Sequence, residues 1–287
     1  MVHELPSIEK LEYVCEVCTL GKQQRSPFPS GRSWRTPNPL ELVRTDICGP
    51  FDPISVGGNK YFISFIDDFS RKLWVYLIKG KSVAFTIFKS FKAHVEVESG
   101  CKIKILRSNR GGEYTTNEFQ DYCRKNGMQQ FTTAYTPQQN GIAERKSRMI
   151  LDMTRTMLKE NYLTKNFWAK TMSRTTYLLN RCPSKSVENM TPQEVWSGYK
   201  PSVSHLRIFG CIAYAQVPET KRKKLDDHGE KCIFIGYSEE SKAYKLYNPL
   251  TNKVVVSRDV IFSEEESWRW NDDITSKEKP LELEGQE

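Results

Sequence analysis

One stretch, from Lys102 to Arg148, constrains this chain more than any other. It opens K-I-K-I-L-R-S-N-R-G-G-E-Y, a short apolar strand breaking into a Gly-Gly loop, and closes T-P-Q-Q-N-G-I-A-E-R-K-S-R, a Pro- and Asn-marked loop feeding a helix. Asn140 stands where a helix N-cap is expected, its side-chain oxygen able to accept from the first free amides. Glu144 then falls in the first turn, where the helix dipole favours negative charge. With Asp46 of L-V-R-T-D-I-C-G-P, three positions of metal-ligand size lie on a strand, a strand end and a helix start: Asp46, Asn109 and Glu144.

The segments T-D-I-C-G-P-F, R-S-N-R-G-G-E-Y and T-P-Q-Q-N-G-I-A-E-R occur in that order. Together they resemble the integrase core of copia-type LTR retrotransposon Pol polyproteins, within the ribonuclease H-like superfamily. That family carries a D,D(35)E triad; here 34 residues separate positions 109 and 144, and the flanking motifs fix the alignment. Asp46 matches the first Asp and Glu144 the Glu, whereas the second acidic position holds Asn109. The resemblance implies an α/β ribonuclease H-like mixed sheet with flanking helices, followed by a small SH3-like β-barrel. It also implies DNA as partner (element ends and target), a homo-oligomer, and Mg²⁺ or Mn²⁺ as cofactor.

The chemistry of that family explains its preference for carboxylates. Processing of 3′ ends and strand transfer are in-line displacements on phosphodiesters, which two Mg²⁺ ions about 3.5–4 Å apart can support. Mg²⁺ is hard and takes oxygen ligands, carboxylates above all. Asp46 is the candidate bridge and Glu144 the ligand of the second ion. Asn109 offers only a neutral oxygen where a full charge is expected, so the expected function is an integrase impaired in catalysis. The alternative is a non-catalytic nucleic-acid-binding remnant. Gln138, Gln139 and Asn140 lie in the loop beside the metals, with amides able to contact phosphates or base edges. Arg148 shares a helix face with Glu144 and matches a DNA-touching position of related integrases; a plain Glu144–Arg148 helix pair is its other reading.

Charge agrees with a polyanionic partner once it is divided. The net charge is +8, and residues 263–287 hold nine Asp/Glu against three Lys/Arg, so a tail of −6 leaves +14 on residues 1–262. A body that basic fits nucleic acid. No apolar run approaches the ~20 residues that cross a bilayer, and the N-terminus M-V-H-E-L-P-S-I-E-K has no signal-peptide centre. The expectation is an intracellular chain, nuclear or cytoplasmic, with no membrane partner. Eight scattered cysteines follow no disulfide-framework spacing and suit free thiols.

In order, residues 1–30 contain Cys15-Glu-Val-Cys18, half of a tetrahedral zinc site that needs four protein ligands. The resemblance implies a His pair upstream, and only His3 precedes Cys15, so residues 1–30 read as a partial zinc-module remnant. An incomplete pair is expected to bind no Zn²⁺, with partial or intermolecular binding as the alternative. Residues 31–39 read as a linker and 40–200 as the catalytic core. Within it, Leu42–Cys48, Tyr61–Asp67, Leu73–Ile78, Ile103–Leu106 and Gln129–Thr132 read as strands. Asp67 and Asp68 read as turn residues. Val83, Ile87, Phe88, Phe91 and Val95 space as one helix stripe, and Asn117–Lys125 ends at Asn126-Gly127. Thr191, Pro192 and Glu194 read as a capped helix start. Four β-prone runs, at 206–217, 230–238, 242–248 and 253–262, fill an SH3-like domain over 205–263. Residues 264–287 read as an acidic, disordered tail.

Overall fold

A computed structural model describes residues 35–109, 111–133, 140–238 and 241–270. The zinc-module remnant with Cys15 and Cys18 lies outside the described residues, as do Gln138 and Gln139. The first sheet has five strands in the order β3-β2-β1-β4-β5: β1 Leu42–Cys48, β2 Tyr61–Asp67, β3 Leu73–Ile78, β4 Ile105–Asn109 and β5 Gln129–Thr133. The first three pair antiparallel and β1, β4 and β5 parallel, giving a mixed sheet. The β4 strand starts two residues later than Ile103 and runs on to Asn109.

Helices cover both faces: α1 Ala84–Ser99, α2 Asn117–Lys125, α3 Gly141–Glu160, α4 Trp168–Leu179 and the short α5 Pro192–Ser197. Alternation along β2 allots the faces. Ile63 and Phe65 join Phe88, Phe91 and Val95 of α1 and Phe119 of α2 in one core. Phe62 and Ile66 join Ala143 and Ile150 of α3 and Met172 of α4 in the other. Helix α1 stops at Gly100, whose φ of +68° is left-handed, and α2 opens on Thr116, which accepts from Phe119 N. At α5, Thr191 accepts from Glu194 N with Pro192 in the first turn, as its sequence implies.

The Asp67–Asp68 turn is a structural node. Asp67 accepts from Leu40 N and from both the amide and the hydroxyl of Ser70. Asp68, fully buried, pairs with Arg44 at 2.9 Å and Arg71 at 2.8 Å. Every lone pair so committed is unavailable to a substrate.

The second sheet is antiparallel throughout, in the order β10-β6-β7-β8-β9: β6 Cys211–Gln216, β7 Gly229–Tyr237, β8 Tyr244–Asn248, β9 Lys253–Ser257 and β10 Val260–Ser267. Two expectations are corrected here. The run 253–262 is two strands, because Arg258 and Asp259 turn the chain and Asp259 O accepts from Gln216 N. Residues 264–270 are ordered rather than a disordered tail. Glu264–Glu266 lie within β10, Trp268 is 2 % exposed, and the Trp270 indole donates to Tyr162 O. Charge and low hydropathy suggested disorder; two tryptophans anchored in apolar surface override them.

Candidate active site

Strands β1 and β4 set the geometry. Arg44 faces Arg107 across the parallel ladder. Two residues on, and on the same faces by alternation, come Asp46 and Asn109. Their side chains meet: Asn109 Nδ2 donates to Asp46 Oδ1 at 2.7 Å. An ionised carboxylate only accepts, so the nitrogen end of the amide is the end that faces it. Helix α3 closes the site with Glu144, exposed in its first turn, and with Ser147, whose hydroxyl donates to Asp46 Oδ2 at 3.3 Å.

Electrostatics single out Asp46. Burial pushes its pKa from 3.8 up to about 6, and the neighbouring Glu144 adds like-charge repulsion, while the hydrogen bonds from Ser147 and Asn109 pull the other way. Behind it, Thr45 Oγ1 and the Tyr114 hydroxyl share a 2.7 Å hydrogen bond, and burial raises the Tyr114 phenol well above its ordinary value.

Asn140 departs from both of its expected roles. It occupies the cap position of α3, yet its side chain makes no cap hydrogen bond. It is 2 % exposed, and its Nδ2 donates to Thr45 O at 3.1 Å, tying the helix start to β1. A side chain so enclosed does not present itself to DNA. Arg148 is exposed on α3. Ser147 was not legible as a site residue, although its place three after Glu144 on one helix face is the signal that could have found it.

Two carboxylates, Asp46 and Glu144, are present, and the third position presents N–H to Asp46 rather than oxygen to a cation. Among the described residues no three His, Cys, Asp or Glu side chains gather as a metal-sized group. The residues do not fit a two-ion centre.

Residues 36–137 match the Integrase core domain family, and residues 211–277 match the Retroviral polymerase SH3-like domain family. The chain is 48% identical over 253 residues to the Retrovirus-related Pol polyprotein from transposon TNT 1-94 of Nicotiana tabacum, covering 88% of this chain and 19% of that protein. It is 33% identical over 266 residues to the corresponding polyprotein from transposon RE2 of Arabidopsis thaliana, covering 91% of this chain and 18% of that one. The chain thus spans about a fifth of the length of these relatives. Among solved structures, the simian T-cell lymphotropic virus intasome in complex with PP2A regulatory subunit B56 gamma shares the fold, at TM-score 0.51 and 16% identity over 86% of this chain and 88% of that one.

Proposed function

Because this chain belongs with the integrases of copia-type retrotransposon Pol polyproteins, carrying an integrase core and a retroviral SH3-like domain, we propose that it binds DNA and is impaired in strand transfer at Asn109. The observation that carries the proposal is the 2.7 Å hydrogen bond from Asn109 Nδ2 to Asp46 Oδ1. A family that works with a divalent ion needs charge at this position. Asp46 and Glu144 are the two carboxylates left for Mg²⁺ or Mn²⁺, and Asn109 withholds the third. Disturbing even the partners of metal ligands costs ~10–100-fold in affinity or activity, and losing a ligand's charge costs at least that much.

DNA binding rests on different features. The body of the chain is strongly basic, and Arg148 lies exposed on the helix that carries Glu144. Gln138 and Gln139, in the loop leading to that helix, are the proposed amide contacts. Joining two element ends to target DNA asks for more than one subunit, so a homo-oligomer is part of the proposal; the simian viral relative is itself an intasome.

The test is the single reversion Asn109→Asp, assayed with Mg²⁺ or Mn²⁺ on a duplex bearing an element terminus. Strand transfer is expected to rise by at least ~10-fold, with DNA affinity unchanged. A parent chain that already matches the revertant overturns the impairment. Binding itself is checked by titration against salt, since phosphate contacts make log K fall linearly with log salt.

A further inference from the structure

A cleft of about 950 Å³ lies between α4 and the β7–β8 side of the second sheet and shares no lining residue with the Asp46 site. Lys170 and Arg174 line it from α4, and Lys242 and Lys245 from the sheet side. Among the described residues that line it there is no Asp or Glu. The like charges feel one another: burial lowers the Lys170 pKa, and Lys245 lowers it further. His205, also in the wall, is held below its ordinary value by partial burial and by Arg181 and Arg174.

Arg174 is the unusual member. It is 4 % exposed, and its guanidinium lies over the rings of Tyr237 at 4.7 Å and Tyr177 at 5.3 Å. Nη2 donates to Arg207 O at 3.3 Å, while Nε and Nη1 have no hydrogen-bond acceptor. The Tyr237 hydroxyl accepts from Arg207 N and donates to His205 O, and its second lone pair favours the charged form of the neighbouring Arg174. Among the described residues lining the cleft no carboxylate balances this guanidinium, and an uncompensated buried charge is costly. An oxyanion bound in the cleft would supply the counter-charge that none of the described lining residues provides.

We propose that this cleft is a phosphate-binding site, with Arg174 as the fixed charge at its base and Lys170, Lys242 and Lys245 at its mouth. The phosphate group belongs either to a nucleic-acid strand or to a free ion. The strand case rests on the DNA-binding reading above; the free-ion case does not. Glu239 and Glu240, between the lining residues Ser238 and Ser241, lie outside the described residues.

Equilibrium dialysis of the whole chain against inorganic phosphate tests the site. Saturable binding is expected, displaced by sulfate and weakened at least ~10-fold by Arg174→Gln, the worth of one charge-assisted hydrogen bond. Should that variant fail to fold, the exposed or half-buried pair Lys170→Gln/Lys245→Gln gives the same readout. The same variants are then titrated with DNA against salt. A slope reduced by ~0.7–0.9 per lost phosphate contact assigns the group to a strand; an unchanged slope with weakened phosphate binding assigns it to a free ion. Absence of saturable phosphate binding in the parent chain, or binding that the variants leave intact, overturns the proposal. None of these readouts involves Asn109 or strand transfer, so this site and the active-site reading fail separately.

Discussion

Asn109 does two things to its neighbour. Its amide hydrogen bond satisfies Asp46 Oδ1, and its neutrality spares Asp46 a second like charge beside the one from Glu144. On the reading proposed above, putting Asp at 109 supplies a metal ligand and adds repulsion at one stroke. The revertant is expected to melt below the parent in EDTA and to gain more from millimolar Mg²⁺ than the parent does, as a ligand that binds only the folded state must stabilise it. Equal responses to Mg²⁺ in a thermal melt would show that the added carboxylate does not reach an ion. Asp46 also fixes a pH dependence. Its folded pKa of about 6 lies above the ordinary 3.8, so between those values the native state holds a proton that the unfolded chain has lost. Stability then falls as pH rises through that window, and the deficit is complete above it. Asp46→Asn removes the buried charge and is expected to raise the melting temperature at pH 7.5, with the gain shrinking towards pH 4. A gain that ignores pH would mean that burial of the carboxylate is not its source.

At the scale of the element, β10 shows where reading the sequence works and where it stops. The strands of the first sheet and helix α2 follow from apolar runs and caps that are local, so Leu42–Cys48 and Asn117–Lys125 are legible from the local residue pattern. The meeting of Asp46 with position 109 needs the parallel register of β1 and β4, which the family motifs supply and periodicity does not. Ser147, the inward turn of Asn140 and the order of residues 264–270 are long-range outcomes: each depends on a partner strand or helix far away in sequence. Trp268 is the clearest case, a side chain buried in the core beneath three consecutive glutamates. Trp268→Ala is expected to cost ~3–5 kcal/mol. Trp268→Phe is expected to cost far less, since the indole N–H is buried without a partner and its loss carries little penalty. Denaturant melts of the two variants decide between packing and hydrogen bonding as what Trp268 contributes.

At the scale of the whole molecule, the two sheets share one apolar interior. Phe167, Trp168 and Met172 from the helical layer lie in the same cluster as Ile212, Ile233, Ile235 and Tyr247 from the second sheet. Phe167 meets Tyr247 edge-on at 5.0 Å. Neither sheet can leave without exposing that surface, so calorimetry is expected to show one unfolding transition rather than two. Two resolved transitions would mean that the shared cluster contributes little. Among the described residues no helix is long and apolar enough to cross a membrane.

The amide clasped to Asp46 carries an evolutionary corollary. On the reading proposed above, an amide at 109 relieves Asp46 of like charge and so favours the fold on its own account. A return to Asp must first cost stability before any gain in catalysis can reward it, which makes the exchange run more readily in one direction, like a ratchet.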